Sequence, residues 1–188
     1  MGGEITFQAL QTSDRFAGCV AMNILLPSEV NMRPIIGFFK SPVAAVIEML
    51  GQDYLQFPLK KVLDMKAVTS YDKNPLPYEQ RMRNPLMVWG YGFKSYRSVW
   101  TYKPKTPPSA NQKPVLITCG EKDPVVPATH CERCYDLIGG PKDLYIIPGG
   151  EHQPIVTIPK HFADTIASWV QTRIHKKDLK SQWKPPKL

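Results

Sequence analysis

The sequence predicts an α/β fold, a mostly parallel sheet flanked by helices, and three stretches support that prediction. Residues 115–119 (VLITC) and 144–147 (LYII) are apolar runs without alternation, typical of strands that are covered on both faces. Residues 128–138 between them have the length of a helix of about three turns. A strand, a helix and a strand in this order form a right-handed crossover, so we expect the two strands to be parallel neighbours.

The same region carries an acid and a histidine, each just beyond a predicted strand. Gly120 ends the first strand, and the turn after it contains Asp123 followed by Pro124. Residues 148–150 (PGG) end the second strand, and His152 comes after them. Open α/β sheets place catalytic groups at this edge, where an aspartate can orient an imidazole that acts as a general base. We therefore expect Asp123 and His152 to lie within hydrogen-bond reach, and a gap above about 5 Å would count against the pairing.

The first residues predict a helix followed by a strand, and residues 1–24 are assigned to the core. Residues 4–10 have a helical pattern, in which one side carries Ile5, Ala9 and Leu10. Gly2 and Gly3 lie in the first turn, where glycine is costly by propensity but allows a helix to pack tightly on a strand. Residues 15–23 predict that strand.

Residues 25–112 depart from sheet-forming patterns and are rich in proline, which predicts a helical cap inserted between core strands. Two helical pieces are expected in it, at residues 42–50 and 86–102. Its apolar residues include Ile35, Ile36, Phe38, Phe39 and Met49. Two interpretations of these residues stay open: they line a site for an acyl chain or another apolar group, or they form the core of the cap.

The remaining core, residues 113–175, ends in a predicted helix at residues 159–175. One face of this helix is expected to pack on the sheet through Phe162, Ile166, Trp169, Val170 and Ile174. Residues 176–188 contain several lysines and few apolar residues, so we expect a solvated, disordered basic tail.

The net charge of +8, from 24 Lys and Arg against 16 Asp and Glu, is partly a property of this tail. A basic balance favours anionic partners, but the sequence modules that bind nucleic acids are absent, so no nucleic-acid partner is predicted. The most apolar stretch, residues 34–50, is interrupted by Lys40, Pro42 and Glu48, so no membrane-spanning helix is predicted. We expect a cytoplasmic protein without stable membrane insertion.

The chain has four cysteines, Cys19, Cys119, Cys131 and Cys134, and the first two lie within apolar runs and are expected to be buried free thiols. The last two form a C-x-x-C inside the predicted helix, without the second pair that a zinc site would require. We therefore predict neither a metal site nor an organic cofactor.

Three short motifs carry a resemblance to a known family. Residues 1–3 (MGG) are similar to the residues after the serine in the G-x-S-M-G-G form of a nucleophile elbow, and residues 120–127 (GEKDPVVP) and 149–152 (GGEH) match an acid turn and a histidine turn. With them the chain resembles the C-terminal part of an α/β-hydrolase-fold serine hydrolase, and more narrowly the lysophospholipase and monoacylglycerol-lipase-like branch, also called serine aminopeptidase S33. The resemblance covers residues 1–24 and 113–175.

The resemblance implies a Ser-His-Asp triad in which Asp123 orients His152 and His152 transfers the proton. It places Met1 directly after the nucleophilic serine, where its backbone N–H contributes to the oxyanion hole. The serine then precedes Met1, because no serine of the chain has the flanking glycines of a G-x-S-x-G motif. We expect the 188 residues to be the C-terminal part of a longer hydrolase, inactive without that serine.

The implied reaction is hydrolysis of a carboxylic ester through an acyl-enzyme, on a small-molecule or lipid-like substrate such as a lysophospholipid or a monoacylglycerol. Two alternatives stay open: a non-catalytic binding module with the same fold, and half of a split enzyme. In the second, an oligomeric partner or a missing N-terminal half covers the exposed edge of the sheet, which would otherwise favour aggregation.

Overall fold

The computed structural model describes residues 2–26, 33–51, 56–58, 79–80, 83–85 and 90–187. In chain order the elements are α1 (Gly2–Thr12), β1 (Cys19–Met22), α2 (Arg33–Lys40), α3 (Pro42–Gly51), β2 (Gln56–Pro58), β3 (Gly90–Gly92), α4 (Phe93–Thr101), a 3₁₀ turn (Pro108–Ala110), β4 (Val115–Gly120), α5 (Ala128–Leu137), β5 (Lys142–Ile147), α6 (Pro154–Thr157), α7 (Pro159–Val170) and a π-helical turn (Gln171–His175).

The core of the described chain is a parallel sheet in the order β1-β4-β5. Val115 of β4 lies opposite Cys19 of β1 on one side and Lys142 of β5 on the other. All six residues of β4 are buried, which is what the apolar run without alternation predicted. The predicted crossover of strand, helix and strand is confirmed, since α5 connects the parallel neighbours β4 and β5.

Helices cover both faces of this sheet. On one face, α1 and α5 pack on the sheet, and Phe7 and Ile117 are fully buried there. On the other face, Phe162 and Trp169 of α7 are buried against Leu116 of β4. Burying an apolar side chain of this size contributes roughly 2–3 kcal/mol, so the two helical layers supply much of the stability of the sheet.

Helix α1 forms where it was predicted, but a different face of it is buried. Gly3, Phe7 and Leu10 face the core, whereas Ile5 is 66% exposed. Residues three or four apart share a helix face, and Phe7 is the largest apolar residue of the helix, so its face packs on the sheet. Of the three residues expected on one side of the helix, Leu10 is therefore buried and Ile5 is exposed.

The region between β1 and β4 contains the two expected helical pieces, together with helix α2 and a two-stranded sheet that were not predicted. Helix α3 begins at the predicted position, and α4 begins only at Phe93, because residues 90–92 form β3 and pair antiparallel with β2. Gly90 and Gly92 disfavour helix, which explains the later start. The first four residues of the predicted helix, 86–89, lie outside the described residues.

A small apolar cluster joins the helices of this region. Phe39 of α2, Ala44 of α3 and Phe93 of α4 are buried together. Arg97 of α4 donates from Nε to the carbonyl oxygen of Phe39 at 3.0 Å and forms an ion pair with Glu48 of α3. These residues act as a core of their own, whereas Ile35 and Ile36 lie outside the residues whose side chains are described.

The π-helical turn that continues α7 is fixed to β5 by an ion pair between Arg173 and Asp143. The guanidinium donates from Nη2 to Oδ1 at 2.6 Å and from Nε to Oδ2 at 2.7 Å, and Trp169 Nε1 donates to Oδ2 at 2.8 Å. Arg173 is 6% exposed, and its hydrogen bonds to Asp143 raise the pKa of the guanidinium. The carboxylate of Asp143 is therefore fully satisfied in a largely buried position.

The C-terminal segment packs on α7, in contrast to the expected disordered tail. Arg173 Nη1 donates to the carbonyl oxygens of Asp178 at 2.5 Å and Ser181 at 2.9 Å, and the side chain of Trp183 is 8% exposed. The guanidinium has five N–H donors, more than Asp143 binds. Nη1 donates instead to main-chain carbonyls of the tail. Trp183 adds apolar burial in the same cluster as Trp169.

Cys19 and Cys119 are buried free thiols, as predicted, and Cys131 and Cys134 are buried free thiols as well. Within the part of the chain that the structure describes, none of the helices combines the length and the apolar character that a membrane span requires.

Replacing Arg173 by Met is expected to lower the free energy of unfolding by about 3–5 kcal/mol, because it leaves the carboxylate of Asp143 buried without its charged partner. Lys160→Met in α7 is the matched control, since its ion pair with Asp164 has side chains that are 89% and 51% exposed. The control should change stability by no more than about 0.5 kcal/mol. Urea unfolding at neutral pH measures both, and similar losses in the two variants would contradict the assignment.

Candidate active site

Three loops meet at the C-terminal edge of the parallel sheet. Asn23 directly follows β1, Asp123 follows β4, and His152 follows β5. Parallel pairing brings the ends of neighbouring strands to one edge, so the topology alone explains why side chains distant in sequence lie together.

Backbone hydrogen bonds fix the orientation of the Asp123 side chain independently of His152. Its side chain is fully buried, and Oδ1 accepts hydrogen bonds from the backbone N–H groups of Val125 at 2.7 Å and Val126 at 2.9 Å. An aspartate that binds the backbone two and three residues later closes a local turn, and Pro124 stiffens that turn. The carboxylate therefore has one orientation and still has acceptor sites for a ring N–H.

The hydrogen bond predicted between Asp123 and His152 is confirmed. His152 Nδ1 lies 2.8 Å from Oδ2 and 3.0 Å from Oδ1 of the carboxylate. Because a carboxylate accepts, the hydrogen-bond pattern assigns the proton to Nδ1 and leaves the lone pair of the neutral ring on Nε2. The side chain of His152 is 19% exposed, and none of the described residues forms a hydrogen bond with Nε2.

Backbone contacts join the acid turn to the histidine turn. The N–H of Lys122 donates to the carbonyl oxygen of Gly150 at 2.8 Å, and the carboxylate of Glu121 accepts the N–H of Gly149 at 2.7 Å. A Cβ on Gly120 would overlap the carbonyl oxygen of Gly150, so only glycine allows the turns to approach this closely. Main-chain contacts and the Glu121 carboxylate thus hold the two turns, and with them Asp123 and His152, close together.

Asn23 is a site residue that the sequence reasoning missed. Its Nδ2 donates to the carbonyl oxygen of His152 at 2.5 Å and lies 3.3 Å from Nδ1 of the ring. Its own N–H donates to the carbonyl oxygen of Thr118 at 2.8 Å, which extends the pairing of β1 with β4 by one residue. The available signal was its position, since a polar residue directly after a buried strand lies at the same edge as Asp123 and His152.

The N-terminus of α1 lies at the same edge of the sheet. A Cβ on Gly3 would be 2.6 Å from the carbonyl oxygen of Met22, the last residue of β1, so the first turn of α1 contacts the end of that strand. The predicted role of the glycine pair in close packing is therefore confirmed at Gly3. Met1 lies outside the described residues, and its oxyanion-hole role stays a prediction.

The C-x-x-C motif lies on the covered side of α5. Cys131 and Cys134 are fully buried, and a hydrogen bond with Cys119, followed by burial, raises the pKa of the Cys131 thiol. A thiol with a raised pKa is a poor nucleophile, because the thiolate is the reactive form. Among the residues that the structure describes, no group of three or more His, Cys, Asp or Glu side chains is placed to hold a metal ion.

A family model described as alpha/beta hydrolase fold matches residues 1–157. No curated protein matches the chain in sequence. Solved structures with a similar fold include a monoacylglycerol lipase from Paleococcus ferrophilus, with 17% identity, a TM-score of 0.58 and coverage of 89% of this chain and 63% of that one. The alpha/beta hydrolase GrgF from Penicillium sp. sh18 has 15% identity, a TM-score of 0.59 and coverage of 90% and 60%.

A third similar structure is a thermophilic esterase from Thermogutta terrifontis, with 16% identity, a TM-score of 0.53 and coverage of 90% of this chain and 61% of that one. The chain thus spans 63%, 60% and 61% of the length of these three structures. At these identities the similarity establishes the fold, and the predicted α/β-hydrolase fold with a parallel sheet flanked by helices is confirmed.

Gly3→Ala is expected to lower the free energy of unfolding by more than about 2 kcal/mol, because its Cβ would meet a main-chain oxygen that cannot rotate away. Gly2→Ala is the matched control: it lies in the same turn with nothing within 4 Å of its Cβ. The control should be neutral or stabilise by up to about 1 kcal/mol. Urea unfolding measures both, and equal effects would contradict the close approach of α1 to β1.

Burial raises the pKa of Glu4 in α1 from its ordinary value of 4.5 to about 7. The folded chain then binds more protons than the unfolded chain between these values, so stability falls as the pH rises from about 4.5 to about 7. Glu4→Gln removes this loss, so the variant should gain stability relative to the wild type between pH 5 and pH 8. Urea unfolding at the two pH values tests this, with Glu132→Gln at an exposed position of α5 as the control. A gain in stability of the Glu4→Gln variant that is the same at both pH values would show that the titration of Glu4 is not its cause.

Proposed function

The chain belongs to the alpha/beta hydrolase fold family, and from that premise we propose that Asp123 and His152 are the acid and the base of a Ser-His-Asp hydrolase that cleaves carboxylic esters. The observation that carries this proposal is the 2.8 Å hydrogen bond between Nδ1 of His152 and the buried carboxylate of Asp123. It leaves Nε2 as a free base at the edge of the sheet where the first turn of α1 also lies.

In the proposed reaction His152 moves the proton twice. Nε2 accepts the proton of a serine hydroxyl while the serine oxygen attacks the ester carbonyl, and the resulting imidazolium donates that proton to the leaving alkoxide. A water molecule then attacks the acyl-enzyme with His152 again as the base, which releases the carboxylic acid and restores the serine. Asp123 holds the ring in the Nδ1–H tautomer and stabilises the imidazolium that forms at each step.

We assign the nucleophile to a serine that precedes α1 in the complete protein. In the described chain, no serine lies within hydrogen-bond distance of His152, whose polar contacts there are with Asp123 and Asn23. A serine directly before Met1 would be separated from α1 by that one residue, near the edge where Gly3 approaches Met22. The backbone N–H of Met1 would then serve as an oxyanion donor at the positive end of the α1 dipole.

The free side of β1 supports the same assignment. Within the described residues, β1 pairs with β4 on one side and with no strand on the other. We propose that further strands cover this side, supplied by the same polypeptide or by a partner chain, because a bare edge strand favours aggregation. A split enzyme and a longer single chain both satisfy this requirement.

For the substrate we propose a small ester with an apolar acyl group, such as a monoacylglycerol or a lysophospholipid. Similarity to a monoacylglycerol lipase and an esterase supports ester chemistry in general. In the helical region, Phe38 is 45% exposed and Met49 is 65% exposed, so part of its apolar surface is free to contact a ligand. Phe39 is buried within the local cluster, which is the structural alternative that the sequence left open. A cytoplasmic location and the absence of a nucleic-acid partner stay predictions.

The first experiment is to read the codons directly before Met1 and to express the protein with whatever they encode in frame. With p-nitrophenyl butyrate as substrate, His152→Ala is expected to lower kcat by about a million-fold and Asp123→Asn by about ten-thousand-fold. Asp136→Asn, at an exposed position of α5, is the control and should leave kcat unchanged.

Two results would contradict the proposal. One is full activity in either the His152 or the Asp123 variant. The other is an upstream sequence without a serine at the required position, together with His152-independent hydrolysis by the wild type. A stop codon before Met1 together with an inactive wild type would favour the binding module or the split enzyme.

A further inference from the structure

We infer that Asn23 is a positioning residue for His152, an inference that rests on the function proposed above. The residue is 7% exposed and contacts the histidine at two points, the main-chain oxygen and the ring edge. Both of these contacts are with His152, so the proposed role of Asn23 is exerted through the histidine.

The orientation of the Asn23 amide is determined by its neighbours. Nδ2 lies 2.5 Å from the carbonyl oxygen of His152, a distance at which only a donor is tolerated. Exchanging Oδ1 and Nδ2 would place two acceptor oxygens against each other. The 3.3 Å separation between Nδ2 and ring Nδ1 is therefore a contact and not a hydrogen bond, because Nδ1 gives its proton to Asp123.

Two features of Asn23 are energetically unfavourable. Asn23 has φ of 49°, a left-handed conformation that asparagine tolerates better than other non-glycine residues. Its Oδ1 is buried and has no hydrogen-bond partner among the described residues, and an unpaired buried polar group typically costs about 1–3 kcal/mol. A glycine would avoid both costs but would lose the hydrogen bond to His152.

The chemical role of this amide is to be a neutral donor. It anchors the main chain of His152 while the ring alternates between imidazole and imidazolium, so the distance to Asp123 is preserved in both states. A carboxylate at the same place would repel the carbonyl oxygen of His152 and would compete with Asp123 for the Nδ1 proton. Asn and Asp have the same shape, so the two residues differ here only in this chemistry.

The experiment compares two substitutions of Asn23 with a matched control. Asn23→Asp keeps the shape and removes the donor, and Asn23→Gly keeps the left-handed backbone and removes the side chain. The control is Asn111→Asp: Asn111 is 3% exposed and donates to the carbonyl oxygens of Lys113 at 2.7 Å and Gly139 at 2.9 Å, at the other end of β4. It is an equally buried asparagine that bridges main chain far from His152.

Two readouts separate positioning from general stability. The first is NMR of the imidazole of His152 in the 188-residue chain, which reports the tautomer and the exchange of the Nδ1 proton with water and needs no activity. The second is the division of the effect between kcat and KM in the protein that carries the nucleophile.

Both Asn23 variants are expected to show a mixture of ring tautomers and faster exchange of the Nδ1 proton. We expect kcat to fall about 10- to 100-fold with KM little changed, because misplacing a catalytic group slows the chemical step more than binding. Asn111→Asp should lower the thermal stability and leave the tautomer and kcat unchanged.

A wild-type tautomer and wild-type proton exchange in both Asn23 variants would overturn the inference, and so would equal changes in the Asn111 control. The failure of the proposed function has a different signature. In that case the wild-type protein with its upstream sequence shows no His152-dependent hydrolysis, while the NMR comparison still decides whether Asn23 positions the ring.

Discussion

The site depends on the parallel pairing of β1, β4 and β5. This arrangement makes β4 a strand that is buried along its whole length, and it brings the ends of all three strands to one edge. The residues beyond those ends are Asn23, Asp123 and His152, which are far apart in sequence and form one hydrogen-bonded group. A slip of one residue in either pairing would turn the side chains of a strand to the opposite face and separate this group.

The C-terminal edge of the sheet and the face that α7 covers have different roles. The C-terminal edge holds the exposed part of His152 and leaves Nε2 without a described partner. The π-helical turn after α7 carries the ion pair between Arg173 and Asp143, in which both carboxylate oxygens accept from the guanidinium. The ion pair that stabilises the fold thus lies away from the candidate catalytic residues. The site contains a ring nitrogen of His152 and an amide oxygen of Asn23 without described hydrogen-bond partners, and the stability of the rest of the fold compensates for this cost.

The sequence predicted the region from residue 113 to 152 well because its signals are local. Apolar runs, glycine at strand ends and an acid before proline are all read within a few residues. The errors concern contacts over long distances. The burial of Trp183 depends on spare donors of Arg173, and the burial of Phe7 instead of Ile5 depends on which side of α1 meets β1. Asn23 was missed because its partner is the main chain of His152, which has no sequence signature.

The reactivity of the buried cysteines toward a thiol reagent can be used to measure local opening of the fold. Cys119, Cys131 and Cys134 are completely inaccessible, and Cys131 and Cys119 lie on two different elements, α5 and β4. A thiol reagent can reach them only when the packing around α5 opens, either at the sheet or at the segment after β1 whose Ile24 carbonyl oxygen contacts Cys131 and Cys134. Since α5 comes directly after the turn that contains Asp123, the labelling rate measures local opening beside the acid.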